Sequence, residues 1–270
     1  MMRLPLVFLR GLIAAMGLVF WPVGSALAQA DGARPTAPDA TRTAQVPAQV
    51  PTQVPAPWSD STDDKPPPPW RVLGLPQSSL PLTQYKVVTL DGQRVVQVSA
   101  VASYASLAHV LPANTQGRRL AWRWRLDEPN LAADLRQKSG DDNPLKVCVS
   151  FAMPTSAVPF FERQILRLAR SRTGEDLPAA TICYVWDSRL EAGTRLDNVY
   201  SRRVRLIVLR GPESPLKTWQ AEQRDVRADF LRLFGDEAST VPPLLAVLVG
   251  ADADNTQGRS LGYVGALNLE

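Results

Sequence analysis

The sequence predicts a mostly-β fold: an antiparallel β-sandwich of jelly-roll type with two short peripheral helices, over residues 70–270. Three observations predict it. About eight short strand-like segments, separated by polar turns, match the spacing of a two-layer β domain. Residues 120–126 (LAWRWRL) alternate, with Leu120, Trp122, Trp124 and Leu126 on one side and Ala121, Arg123 and Arg125 on the other. That period of two marks a strand with one buried and one wet face. Asp91-Gly92 divides two strand-like runs, and a two-residue turn of type I′ needs positive φ at both of its positions.

The chain begins with the three parts of a secretion signal over residues 1–28. Arg3 and Arg10 carry the charge, residues 11–21 (GLIAAMGLVFW) form the apolar stretch, and Ala26-Leu27-Ala28 offers small residues for cleavage before Gln29 or after Ala30. A spanning helix takes about 20 apolar residues. This run is shorter and is bounded by Arg10 and Pro22, so cleavage is expected and no transmembrane segment remains after it. The expected location is periplasmic or secreted.

Residues 29–69 read as a linker. Gln-Val-Pro recurs at Gln45, Gln49 and Gln53, and residues 66–69 are all proline. Proline fixes φ and lacks an amide donor, so the segment favours extended geometry and builds no core. A semi-rigid spacer and a passive tail are both compatible with that composition.

The predicted strands are residues 85–90, 93–101, 120–126, 146–151, 181–187, 203–209, 244–249 and 261–269. Two helices interrupt them. Residues 159–172 place Phe161, Ile165 and Leu168 at helical spacing, which predicts a buried stripe. Residues 226–234 place Val226, Phe230 and Leu233 likewise, with Asp225 to cap the start and Gly235 the end. Cys148 and Cys183 sit in the apolar runs KVCVSF and TICYVW. An exported protein meets oxidising conditions, and both a bridge between neighbouring strands and two buried thiols fit this pattern.

Several short signatures recur together: LAWRWRL at Leu120, GDDNPLKVCVSF at Gly140, YVWD at Tyr184, TWQAEQRDVRADFLRLFG at Thr218, and ADADNT at Ala251 before a terminal strand. In this combination the second half resembles a family of exported bacterial proteins, the domain of unknown function family 3047. The resemblance implies an exported β-sandwich. It implies no activity and promotes no residue to a catalytic role.

Candidate chemistry lies in two acidic loops. Asp252, Asp254 and Asn255 carry part of the oxygen-donor set that calcium takes, and Asp141 or Asp142 completes it if the loops meet. The competing reading is turn chemistry, in which Asp and Asn bind local amides. The same carboxylates would serve a polysaccharide-cleaving enzyme if two lay about 5–10 Å apart across a bond. Trp186, beside Asp187 at a strand end, is a candidate platform for a sugar, in competition with core packing. Asp141, Asp142, Trp186 and Asp187 are thus the expected ligand-binding residues, and Asp252, Asp254 and Asn255 the expected metal ligands. Calcium is the one candidate cofactor.

Composition excludes more. Without Arg3 and Arg10 the chain carries 28 basic against 26 acidic side chains, a balance that argues neither for nucleic acid nor for a polybasic membrane anchor. The run 202–205 (RRVR) reads as a solvated strand face. A single histidine, His109, rules out a zinc site built on several histidines, and it reads as an ordinary surface or core residue. No phosphate-cradling or dinucleotide-binding glycine loop is present. The expected function is an exported non-catalytic binding module for a glycan or other polar envelope ligand. The alternatives are a polysaccharide-acting enzyme and a structural or assembly protein of the envelope.

Overall fold

The computed structural model describes residues 55–75, 78–173 and 176–270. The signal peptide expected over 1–28 and the Gln-Val-Pro repeats lie outside the described residues. Within them the strands are β1 (Arg71–Leu73), β2 (Gln84–Leu90), β3 (Gln93–Val101), β4 (Tyr104–Thr115), β5 (Arg119–Glu128), β6 (Leu145–Phe151) and β7 (Ala180–Trp186). They continue as β8 (Arg195–Asp197), β9 (Val204–Arg210), β10 (Gln220–Asp225), β11 (Leu244–Asp252), β12 (Arg259–Val264) and β13 (Asn268–Leu269). Helix α1 (Phe160–Thr173) follows β6 and α2 (Val226–Phe234) follows β10. No helix among the described residues is long and apolar enough to cross a membrane.

The strands form a sandwich of two sheets, as predicted. One has seven strands in the order β1-β4-β11-β6-β7-β9-β8; the other has six, β10-β5-β12-β3-β2, with β13 added beside β5. Pairing is antiparallel except between β7 and β9, which run parallel with β8 on the outer edge. The β2–β3 turn is the expected one, with Asp91 at φ 52° and Gly92 at φ 74°.

The alternation in β5 places Trp122 and Trp124 between the sheets, where their rings lie 5.4 Å from Tyr184 and 5.7 Å from Trp186. Such aromatic pairs contribute about 0.5–1.5 kcal/mol beyond the area they bury. β6 and β7 are buried at every position, so both faces of the sheet are covered there. This is why their sequences run apolar instead of alternating. Cys148 stands directly opposite Cys183 in the β6–β7 register, and the two form a disulfide. Between the two readings of these cysteines, the bridge is the one realised. It constrains a loop of 35 residues, an effect of about 4 kcal/mol in the chain-entropy account.

Helix α2 agrees with its sequence. The Asp225 carboxylate accepts from Arg227 N and Ala228 N, Val226 and Phe230 are buried, and Phe230 lies 4.7 Å from Phe151. Leu233 is only partly buried, and Phe234 takes its place in the core.

Three expectations are corrected. Phe161, Ile165 and Leu168 of α1 do not face the core; they are 80%, 47% and 49% exposed. The face turned inward is Glu162, Leu166 and Ala169, which has the same helical spacing shifted by one residue. Glu162 lies 2.6 Å from the buried Arg203, and this ion pair sets the helix rotation. Apolar periodicity cannot see it. The run 202–205 is not a solvated face either, because Arg203 and Arg205 are buried. Glu237 binds both guanidinium groups, and Arg205 also lies over the Phe234 ring. Finally, residues 55–69 pack on the domain instead of spacing it. Trp58 is buried and donates to Gly265 O at 2.8 Å, and Trp70 donates to Ala56 O at 2.8 Å. His109 is a core residue that accepts from Ala56 N at 3.1 Å.

Candidate functional site

The two acidic loops converge at one end of the sandwich. β11 delivers Asp252 and the turn after it; the segment before β6 delivers Asp141, Asp142 and Asn143. The carboxylate of Asp142 joins them. It accepts from Asn255 N at 3.0 Å, Thr256 N at 2.8 Å and Thr256 Oγ1 at 2.5 Å, with Asn130 Nδ2 at 3.4 Å. In the reverse direction, Asp252 Oδ1 accepts from Asn143 N at 2.8 Å. Each loop therefore ties the other's backbone with an aspartate. Turn chemistry is real here, but it acts between segments more than 100 residues apart.

The charge at this junction is unbalanced. Asp141, Asp142 and Asp252 are buried and Asp254 is partly so; among the described residues the single cation between them is Lys146, 3.0 Å from Asp252 Oδ1. Burial, reinforced by the charge of Asp252, pushes Asp141 up to about 7. Burial, with Asp252 and Asp142 nearby, pushes Asp254 up to about 7 as well. Burial also raises Asp252, with Lys146 opposing the shift. Asn198 Nδ2 donates to both oxygens of Asp141, at 3.0 and 2.8 Å.

Two oxygens are left over: Asp254 Oδ1 and Asn143 Oδ1 are buried with no hydrogen-bond partner. Asp142, Asp252 and Asp254 each offer a carboxylate oxygen, and the three lie within 4.8 Å of one another. Calcium binds oxygen at about 2.3–2.6 Å, so 4.8 Å is about the distance across its coordination sphere. Beside them is a cavity of about 20 Å³ lined by Asp141, Asn143, Lys146, Asp252, Tyr104 and Ser106, among others. A cavity of roughly 10–15 Å³ holds one water, so this one takes a water or a single ion. The oxygen-only donor set and the surplus of negative charge fit a hard divalent cation; Lys146 occupies one side of the same space.

The remaining expected residues are placed differently. Asn255 uses its side-chain amide as a clamp, donating to Asp141 O at 3.0 Å, and its Oδ1 accepts from Tyr200 OH at 3.4 Å. Trp186 is 1% exposed and packs on Trp124, so it has no open face for a sugar. Asp187 is buried and caps its own turn, accepting from Arg189 N at 2.7 Å and Leu190 N at 2.5 Å. Sequence reading missed Lys146, Asn198 and Tyr104. Lys146 had a visible signal, a charged residue opening an otherwise apolar strand. Asn198 and Tyr104 had none.

No curated protein matches the chain in sequence. Solved structures match it distantly. The K2 cleaved adhesin domain of Lys-gingipain shares 9% identity at a TM-score of 0.35, over 79% of this chain and 96% of its own. The xyloglucanase domain of NopAA, a type three effector from Sinorhizobium fredii solved in complex with cellobiose, shares 8% at 0.39, over 75% and 97%. Endoglucanase 3 of Trichoderma harzianum, from family GH12, shares 10% at 0.38, over 76% and 99%. These likenesses carry no chemistry to this chain. A family model described as a protein of unknown function (DUF3047) matches residues 68–268, nearly the whole sandwich, and the chain belongs to that family.

Proposed function

We propose that the chain is an exported, non-catalytic binding module of the cell envelope. In this reading one calcium ion sits at the acidic junction and organises the rim that takes a glycan or similar polar ligand. One observation carries it: four clustered aspartates meet one lysine, with unpartnered oxygens on Asp254 and Asn143. The leader-like N-terminus and the disulfide support export. Tyr200, Asp254 and Asn255 are partly exposed and form the rim a ligand would touch.

The enzyme reading has less support. Acid–base cleavage of a glycan places the sugar between two carboxyl groups. Here Asp142 is saturated by amide and hydroxyl donors, Asp252 is paired with Lys146, and the cavity that Asp141 and Asp252 line has room for one water. A glycan array probed with and without millimolar calcium tests the binding reading. It predicts calcium-dependent signal on a subset of glycans, lost in Asp254→Asn. A blank array across acidic and neutral glycans, with calcium present, contradicts it.

A further inference from the structure

A cavity of about 190 Å³ lies between α1 and the turn that joins β8 to β9. Glu162, Ile165 and Leu166 of α1 form one wall, and residues 198–203 form the other. The turn is shaped from within. Asn198 Oδ1 accepts from Tyr200 N at 2.9 Å and Ser201 N at 3.2 Å, and Asn198 N donates to Val204 O at 2.9 Å. Asn198 is anchored in turn on Asp141 of the acidic junction, and Tyr200 OH donates to Lys138 O at 2.8 Å. Across the cavity, the ion pair of Glu162 with Arg203 holds α1. Both walls are thus fixed by contacts within the chain, as in a largely preformed small-molecule site.

Size, charge and hydrogen bonding select the occupant. Drug-sized ligands fill roughly 300–1,000 Å³, so this cavity takes one small ring. The charges that line it are already matched. Glu162 lies 2.6 Å from Arg203 and 3.5 Å from Arg202; Arg202 also meets Asp197 at 2.9 Å, and Arg203 meets Glu237 at 2.6 Å. A charged ligand would have to displace one of these partners, so the match favours an uncharged one. A wholly apolar ligand is disfavoured too, because polar groups border the wall of Ile165, Leu166 and Val199. Ser201 Oγ accepts from Arg203 N at 3.2 Å, and a hydroxyl also has a proton to donate. Arg202 donates to Asp197 through Nε at 2.9 Å, and a guanidinium has further N–H groups to offer. An apolar wall beside such donors matches a pyranose, which carries C–H groups on its faces and hydroxyls around its edge.

We infer that this cavity seats one uncharged pyranose ring, with Ile165 and Leu166 against its face and Ser201 and Arg202 at its hydroxyls. The inference rests on the binding-module reading but not on its calcium ion. Saturation-transfer NMR on the full chain tests it, with methyl glucoside, methyl mannoside and N-acetylglucosamine as neutral probes and glucuronate as the charged one. Transfer is expected to at least one neutral sugar, with or without calcium. Glucuronate should bind roughly tenfold more weakly, because its carboxylate competes with Glu162 and Asp197 for the same guanidinium groups. Ile165→Trp fills the cavity from a half-exposed position and should abolish the transfer. Leu168→Trp, on the same helix but outside the cavity, should leave it unchanged, and melting curves verify that both variants fold. No transfer to any neutral sugar overturns the inference. So does transfer that persists in Ile165→Trp, that is lost equally in Leu168→Trp, or that is strongest to glucuronate. The broader reading fails separately: a glycan-array signal lost in Asp254→Asn but unaltered in Ile165→Trp sustains the binding module and removes this cavity from it.

Discussion

Two regions of this domain bury ionised side chains, and they do it in opposite ways. Around β9 the buried Arg203 and Arg205 meet the partly buried Glu162 and Glu237, with Asp197 and Asp236 at the exposed edge. Each guanidinium has a carboxylate. At the loop junction, Asp141, Asp142, Asp252 and Asp254 share, among the described residues, Lys146 alone. The first region is electrostatically complete and orients α1 and the end of α2. The second is short of positive charge: burial, with Asp252 nearby, pushes Asp141 and Asp254 up, and two buried oxygens have no partner. Balanced burial fixes a fold; unbalanced burial leaves room for a proton or a cation.

The largest expected effect breaks the balanced region. Glu237→Gln leaves Arg203 and Arg205 underpaired in the interior and should cost about 3–5 kcal/mol in a denaturant titration. An effect within about 0.5 kcal/mol would mean the network is solvated and the contrast is false. Next comes the clamp of the junction. Asp142→Ala removes the acceptor of two backbone amides and a hydroxyl, with an expected loss of about 1–3 kcal/mol.

The sign then reverses within the same cluster. Without calcium at pH 8, Asp254→Asn relieves repulsion and should raise the melting temperature by about 2–4 °C per kcal/mol gained. The pH dependence sharpens this. Asp141 and Asp254 are raised in the folded state to about 7. Protons therefore bind the folded chain more tightly than the unfolded one. That stabilisation is fully present below the ordinary carboxyl range and is lost as pH rises through about 7. Calcium-free melts should decline between about pH 5 and 8, and the double variant Asp141→Asn, Asp254→Asn should flatten that decline.

Much of the fold was legible in the sequence because local pattern decided it. The period of two in β5, the Asp91-Gly92 turn and the capped α2 are all properties of adjacent residues. What failed was decided by partners distant in the chain. Arg203 meets Glu162 and Glu237, which no local pattern records, so local pattern alone turns the wrong face of α1 inward and leaves residues 202–205 on the surface. Trp58 looked like part of a proline-rich spacer because its partners, Trp70 and Gly265, lie in other segments. The site was half legible. Alternating aspartates marked the two loops, but their meeting, and Lys146 between them, came from the pairing of β11 with β6.

The central claim is that the unbalanced cluster holds a divalent cation, and calorimetric titration of calcium into the protein at pH 8 tests it most directly. One saturable site is predicted, with weaker binding at pH 6, where protons compete for Asp141 and Asp254. Asp254→Asn should lose the site while still melting cooperatively. Absence of heat at millimolar calcium at pH 8, with no change in melting temperature, would contradict the account and leave Lys146 and bound protons as the only charges that offset the four aspartates.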